Sequence, residues 1–245
     1  MRKVAIFVEG QTELIFIRES LPKLMGYQHI SFDCYTLQTD SNFQTTDYSY
    51  PITEETRFYF QIINVGGDNA VISRLLRREQ FLLRSGFELI IGLRDMYSQQ
   101  YRRLAENREI SNDLNQQFIN AAREQIEQKA ERPELISFLF AIMEIEAWFL
   151  GCEGVFEKVD ARLTNQFIAQ NLGFNLSDID PEETFFHPAN AVEQIFDLVE
   201  KDYKKGSSLV NNIDADDLEL LHLNQERCAS FSAFYEIISM LNELE

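Results

Sequence analysis

The sequence predicts an α/β protein: a mainly parallel sheet with helices on both faces, followed by a helical C-terminal region. Three observations carry this expectation. Short apolar runs alternate with helix-spaced segments through residue 150, the order of crossover-connected parallel strands. Two of those runs, Val4–Val8 and Phe87–Leu93, are apolar almost throughout, as strands covered on both faces are. Beyond Gly151 the strand runs give way to helical spacing. The expected division is an α/β domain over 1–150 and a helical extension over 151–245.

In chain order, Lys3–Val8 is the first strand, and Thr12 is the expected cap of a helix ending near Gly26. Ile30–Leu37 is a second strand. The polar, Tyr- and Thr-rich stretch from Asp40 to Pro51 reads as a loop or an edge hairpin. Arg57–Val65 returns to the sheet, and Gly66-Gly67-Asp68-Asn69 turns the chain, with Asp68 or Asn69 capping a helix that carries Val71, Leu75, Leu82 and Leu83. Phe87–Leu93 is a strand ending on Arg94-Asp95. A polar helix over 112–131 is broken by Pro133, and Leu135–Ala141 is an apolar strand that leads into a helix through Glu144, Glu146 and Trp148. Asp178–Pro181 makes a turn, and 231–244 has helical spacing.

Nearly half of the 245 residues are apolar, enough for a substantial core. Cys34, Cys152 and Cys228 lie far apart and form no Cys-x-x-Cys pair, so the sequence indicates neither a zinc site nor a disulfide framework. The apolar run behind Met1-Arg2-Lys3 stops at Glu9, and no run of about 18 apolar residues follows. The expectation is a soluble cytoplasmic protein without a membrane partner.

The net charge of −18 argues against non-specific affinity for nucleic acid, which needs local positive charge. The distribution of that charge points the other way. Residues 1–110 carry 13 Lys or Arg against 14 Asp or Glu, whereas 111–245 carry 9 against 26, so the acidity sits almost wholly in the second half. Between 73 and 108, Arg74, Arg77, Arg78, Arg84, Arg94, Arg102, Arg103 and Arg108 offer a polyanion a foothold.

Acids close three predicted strands: Glu9, Asp95 and the pair Glu144 and Glu146. On neighbouring parallel strands they would converge on the carboxyl edge, where open α/β folds place ligand sites. An oxygen-only cluster there suits Mg²⁺ or Mn²⁺ and the activation of water for phosphodiester cleavage.

The order of these pieces resembles the TOPRIM fold, the metal-binding core of topoisomerases, DnaG-type primases and OLD-family nucleases. Glu9-Gly10 matches that fold's Glu-Gly after the first strand, within a Val-Glu-Gly-Gln-Thr-Glu segment of the type found in TOPRIM-like proteins of bacterial defence loci. Asp95 matches the first aspartate of the Asp-x-Asp motif, but Tyr97 stands where the second aspartate is expected, and a phenol is a poor ligand for Mg²⁺ at neutral pH. Glu146-Ala147-Trp148-Phe149-Leu150 resembles the Glu-x-Trp-x-Leu element of RloB-like families. His187-Pro188, Tyr203-Lys204-Lys205 and Cys228 with Phe231 are similar to the His-Pro, Tyr-x-Lys and Cys-x-x-Phe elements of their helical tail.

The resemblance implies Glu9, Asp95 and Glu146 as catalytic metal-binding acids, with Glu144 as a further ligand. It implies a Mg²⁺- or Mn²⁺-dependent nuclease acting as the effector of a phage-defence system alongside an ATPase, and leaves open a homo-oligomer. Arg94, Arg102, Arg103 and Lys205 are the expected contacts to DNA or RNA. The alternative is a catalytically degenerate TOPRIM-like subunit that binds a partner protein through its acidic helical half. His187 reads as a cap of the helix after it, and Trp148 as a core residue.

Overall fold

A computed structural model describes residues 1–37, 43–67, 70–204, 209–224 and 227–243. Among the described residues six strands form one sheet in the order β3-β2-β4-β1-β5-β6: β1 (Arg2–Val8), β2 (Ile30–Leu37), β3 (Phe43–Tyr50), β4 (Phe58–Asn64), β5 (Phe87–Asp95) and β6 (Ile136–Ala141). β1 runs parallel to both β4 and β5, and β2 parallel to β4; β3 pairs antiparallel with β2. Asp40–Pro51 thus contains the edge hairpin strand of the two expected forms, with Thr46 Oγ1 donating to the Cys34 carbonyl at 3.1 Å.

The central position of β1 follows from its composition. Val4 through Val8 are all buried, which only a strand flanked on both edges and covered on both faces can achieve. Ala5 and Phe7 share a face with Ile63 and Ile90, and α2 (Val71–Arg84) lays Val71, Leu75 and Leu82 against them. α1 (Gln11–Leu24) packs against β2 and β4 through its apolar stripe. Gly92 in β5 is glycine for a packing reason: a Cβ there would lie 2.5 Å from Phe138 Cδ2 and 3.2 Å from Leu75 Cδ1.

Two boundaries differ from the sequence expectation. α1 begins at Gln11, so Gly10 is its N-cap and Thr12 is a buried residue of the first turn. Glu13 takes the capping role from inside the helix, its Oε2 accepting the Gly10 N–H at 2.8 Å. The helix ends at Leu24, and Gly26 follows in the left-handed region at φ +61°. The expected caps Asp68 and Asn69 lie outside the described residues.

The chain falls into two compact units, each discontinuous in sequence. The first joins Met1–Arg94 to Gln116–Phe140; the second joins Asp95–Asn115 to Ala141–Glu245. In the first, α4 (Asn112–Lys129) contributes most of its length, and buried Glu79 of α2 accepts the N–H groups of Glu131 and Arg132 at 3.0 and 2.7 Å just past that helix. The second contains α3 (Gln99–Leu104), α5 (Glu146–Gly151), α6 (Val155–Val159), α7 (Asn165–Leu172), α8 (Pro181–Thr184), α9 (Pro188–Asp197), α10 (Ala215–Leu223) and α11 (Ala229–Glu243). Among the described residues no helix is long and apolar enough to cross a membrane.

Candidate functional site

In the first unit, β1 delivers Glu9 to the carboxyl edge of the sheet. Val8 pairs in register with Asn64 on one side and Leu93 on the other, so β1 and β4 end level while β5 runs on to Asp95. The Glu9 carbonyl accepts the Gly67 N–H at 3.0 Å, tying the end of β1 to the turn after β4. Arg94 places its guanidinium over the Phe140 ring, 5.5 Å from the centroid.

The other acids belong to the second unit, and the structure brings them to one segment. Asp95 Oδ1 accepts the Ile145 N–H at 3.0 Å, between Glu144 and Glu146. The same segment is stitched by Met96 N–H to the Ala141 carbonyl at 2.9 Å and Tyr97 N–H to the Met143 carbonyl at 2.6 Å. Met143 holds φ at +63°, a conformation that costs a non-glycine residue about 1–3 kcal/mol and that packing must sustain.

Each glutamate of this segment is committed to an internal partner. Glu144 is 5 % exposed; its Oε2 accepts the Ala189 N–H at 2.9 Å, a carboxylate at the positive end of α9. His187 Nδ1 stands 2.8 Å from the same oxygen, without hydrogen-bond alignment. His187 is thus the N-cap of α9 by position, but its side chain makes no cap hydrogen bond; Glu144 satisfies that helix end instead. Glu146 is 1 % exposed, and its Oε1 accepts the Tyr203 hydroxyl at 3.2 Å.

Further along α5, Trp148 is fully buried between Phe231 and Phe234, with centroids 5.4 and 5.9 Å away. Its indole N–H donates to Glu182 Oε1 at 3.0 Å and lies 2.8 Å from Ser230 Oγ, which also meets Glu182 Oε1. The Ser230 N–H donates to Glu182 Oε2 at 3.2 Å. Burial pushes the Glu182 carboxyl up to about 7, against the downward pull of its Ser230 and Trp148 donors. Cys228 Sγ contacts the Ala147 carbonyl at 3.5 Å. The separated sequence elements Glu146, Trp148, His187, Tyr203, Cys228 and Phe231 therefore lie around α5 and the segment that enters it.

All three cysteines are buried free thiols, as the spacing predicts. Burial holds Cys34 up to about 12 and raises Cys152 and Cys228 as well, which keeps them as unreactive thiols.

A pocket adjoins this segment, and no single run of the sequence marks it. About 490 Å³ in volume, it is lined by Tyr97, Gln99, Arg102, Arg103, Arg108, Phe186, His187 and Asn190, none of them acidic. Ser98 caps α3 through its Oγ, accepting the Tyr101 N–H at 3.1 Å. The buried Tyr101 anchors that helix, its hydroxyl donating to Asn115 Oδ1 at 2.7 Å and accepting from the Ser111 N–H at 3.3 Å. Arg102 lies over the Tyr97 ring, 5.3 Å from its centroid. Tyr97 in turn packs edge-on against Phe186 at 5.6 Å and beside His187 at 4.6 Å. Among the described residues, Arg102, Arg103 and Arg108 have no carboxylate partner.

Of the expected nucleic-acid contacts, Arg102 and Arg103 thus line one pocket, Arg94 belongs to the first unit, and Lys205 lies outside the described residues. Arg108 is legible in the sequence as the last member of the basic run. Tyr97 is some 90 residues from Phe186 and His187, and no local signal joins them.

A match to the family described as Domain of unknown function (DUF4276) covers residues 8–239 of the 245. The chain belongs to the DUF4276 family. No curated protein and no solved structure matches it. In this DUF4276 chain the match takes in both units, from the end of β1 to α11.

The oxygen donors of the acids suit a hard cation. Among the described residues no group of three or more His, Cys, Asp or Glu side chains that could hold a metal ion is found. Asp95, Glu144 and Glu146 spend oxygens on Ile145, Ala189 and Tyr203.

Proposed function

We propose that this DUF4276 protein binds single-stranded nucleic acid through its second unit. The observation that carries the reading is the pocket of Arg102, Arg103 and Arg108, without acidic lining among the described residues, beside Tyr97 and Phe186. Guanidinium forks pair with phosphate oxygens, and aromatic faces accept unstacked bases without regard to sequence. In a chain of net charge −18, a local cluster of guanidinium groups gives a strand's phosphates a favourable place to bind.

The test is fluorescence anisotropy with labelled DNA and RNA of about 20 nucleotides over a salt series. Affinity should fall with salt at a slope near −0.7 for each phosphate contacted, on the order expected of single strands. Arg102→Ala combined with Arg103→Ala should weaken binding by about tenfold to a hundredfold and flatten that slope. Unchanged affinity and slope in the double variant would overturn the proposal.

A second reading is hydrolysis of the bound strand with Mg²⁺ or Mn²⁺, in a defence pair with an ATPase. It is supported by the acids Glu9, directly after β1, and Asp95, closing the parallel neighbour β5. This reading expects purified protein with Mn²⁺, and with the ATPase added, to cut DNA or RNA, and expects Glu9→Gln to abolish cutting. Cutting at the parental rate in that variant would remove Glu9 from the chemistry. Binding without cutting is what a degenerate interaction subunit would give.

A further inference from the structure

The walls of the pocket are chemically divided. One side carries guanidinium groups from α3 and from Arg108 just after it; the other carries rings from the Phe186-His187 segment before α9. Tyr97 lies between the two sets, touched by Arg102 on one hand and by Phe186 and His187 on the other. Its volume of about 490 Å³ falls within the range of small-ligand sites, which run from about 300 to 1,000 Å³.

His187 is the best-placed group in this wall. Its Nδ1 is buried against Glu144 Oε2, while 35 % of its side chain is exposed at the pocket. Glu144 is itself pinned by the Ala189 N–H. The Nδ1 edge of the imidazole is therefore turned inward to Glu144, by proximity and not by an aligned hydrogen bond, while the rest of the ring is exposed at the pocket. Asn190 adds an amide on the first turn of α9.

We infer that this pocket takes one nucleoside monophosphate unit, its phosphate held by Arg102, Arg103 and Arg108 and its base seated against Tyr97, Phe186 and His187. The inference rests on the nucleic-acid reading and sharpens it: the unit recognised is a terminal phosphate with its base rather than an internal stretch of backbone. The same chemistry belongs to a free nucleotide and to the phosphorylated end of a strand.

The experiment is calorimetric titration of the full chain with AMP, adenosine and inorganic phosphate, and with a strand of about 10 nucleotides bearing either a 5′-phosphate or a 5′-hydroxyl. AMP should bind at least about tenfold tighter than adenosine or inorganic phosphate, because stacking and ion pairing act together on one ligand. Arg108→Ala should lower AMP affinity by about tenfold and leave the weak adenosine binding unmoved, whereas Phe186→Leu should weaken AMP and adenosine alike. Glu144→Gln tests His187 as a positioned contact: AMP affinity should fall while the thermal midpoint stays near the parental value. If that variant unfolds instead, His187→Ala on the pocket surface supplies the same readout.

A strand with the 5′-phosphate that outcompetes AMP assigns the pocket to strand ends; AMP binding tighter than either strand assigns it to free nucleotide. AMP no tighter than inorganic phosphate overturns the inference. If both strands also bind equally well and lose affinity in the Arg102→Ala, Arg103→Ala variant, strand binding stands and only the terminal-unit inference falls. If neither strand binds and AMP does not bind either, both fall.

Discussion

Trp148→Ala is expected to cost about 3–5 kcal/mol of stability, seen as a lower urea midpoint with an unchanged slope. The loss has two parts. The cavity between Phe231 and Phe234 cannot collapse cheaply when α5 is buried along its whole length, from Glu146 to Gly151. The indole N–H also leaves Glu182 Oε1, removing one of the donors to a buried carboxyl group. Trp148→Phe separates the two, since it keeps most of the ring contact and deletes the donor; it should cost about 1–3 kcal/mol. A Trp148→Ala stability within about 1 kcal/mol of the parent would contradict the packing account.

The second large effect is a pH dependence centred on Glu182. In the fold its carboxyl titrates at about 7, and in the unfolded chain near the ordinary 4.5. Between those values the native state holds a proton that the unfolded state has released, so the free energy of unfolding falls as pH rises. The contribution of the neutral acid is fully present below about 4.5 and is lost as pH climbs through 7, a swing on the order of 3 kcal/mol. Asp160 and Asp214, held below the usual carboxylate range by Arg162 and Lys158 respectively, act in the opposite sense at more acidic pH. Glu182→Gln isolates the contribution of Glu182. With its amide oxygen in place of Oε1 the side chain goes on accepting from the Ser230 hydroxyl and the Trp148 indole N–H, while the nitrogen in place of Oε2 gives up the Ser230 N–H bond; what the variant removes at every pH is the titration. Urea melts from about pH 4.5 to about pH 8 should show the variant flatter than the parent. Parallel profiles would mean that Glu182 titrates alike in both states.

Much of the sheet is legible in the sequence because its strands obey one simple rule. Val4–Val8 is buried throughout and Phe87–Leu93 everywhere but Glu88 and Leu89, so their runs are largely apolar and their ends are marked by an acid and a glycine or an arginine. β3 is harder, since an edge strand with Thr45, Thr46 and Ser49 has the same polar look as a loop. The start of α1 lies ahead of the place that Thr12 suggests. Threonine is a common cap, while the actual device runs backwards, from the Glu13 side chain to the Gly10 amide.

The site is legible only in part, and for a geometric reason. Asp95, Glu144 and Glu146 do come to one segment, as strand ends predict, yet the hydrogen bonds that occupy them come from Ile145, Ala189 and Tyr203, and the last two lie far along the chain. Tyr97 reads in the sequence as the loss of an aspartate; its place between Arg102, Phe186 and His187 exists only in three dimensions.

The interleaving of the two units bears on how the polypeptide matures on the ribosome. The sheet unit needs residues 116–140, and Glu79 waits for the amides of Glu131 and Arg132, so emergence of the first 94 residues cannot complete it. Until that later stretch is released, Phe87, Ile90 and their neighbours lack Phe138 as cover. The nascent chain therefore passes through a vulnerable interval in which an incompletely shielded sheet is open to chaperones or to self-association.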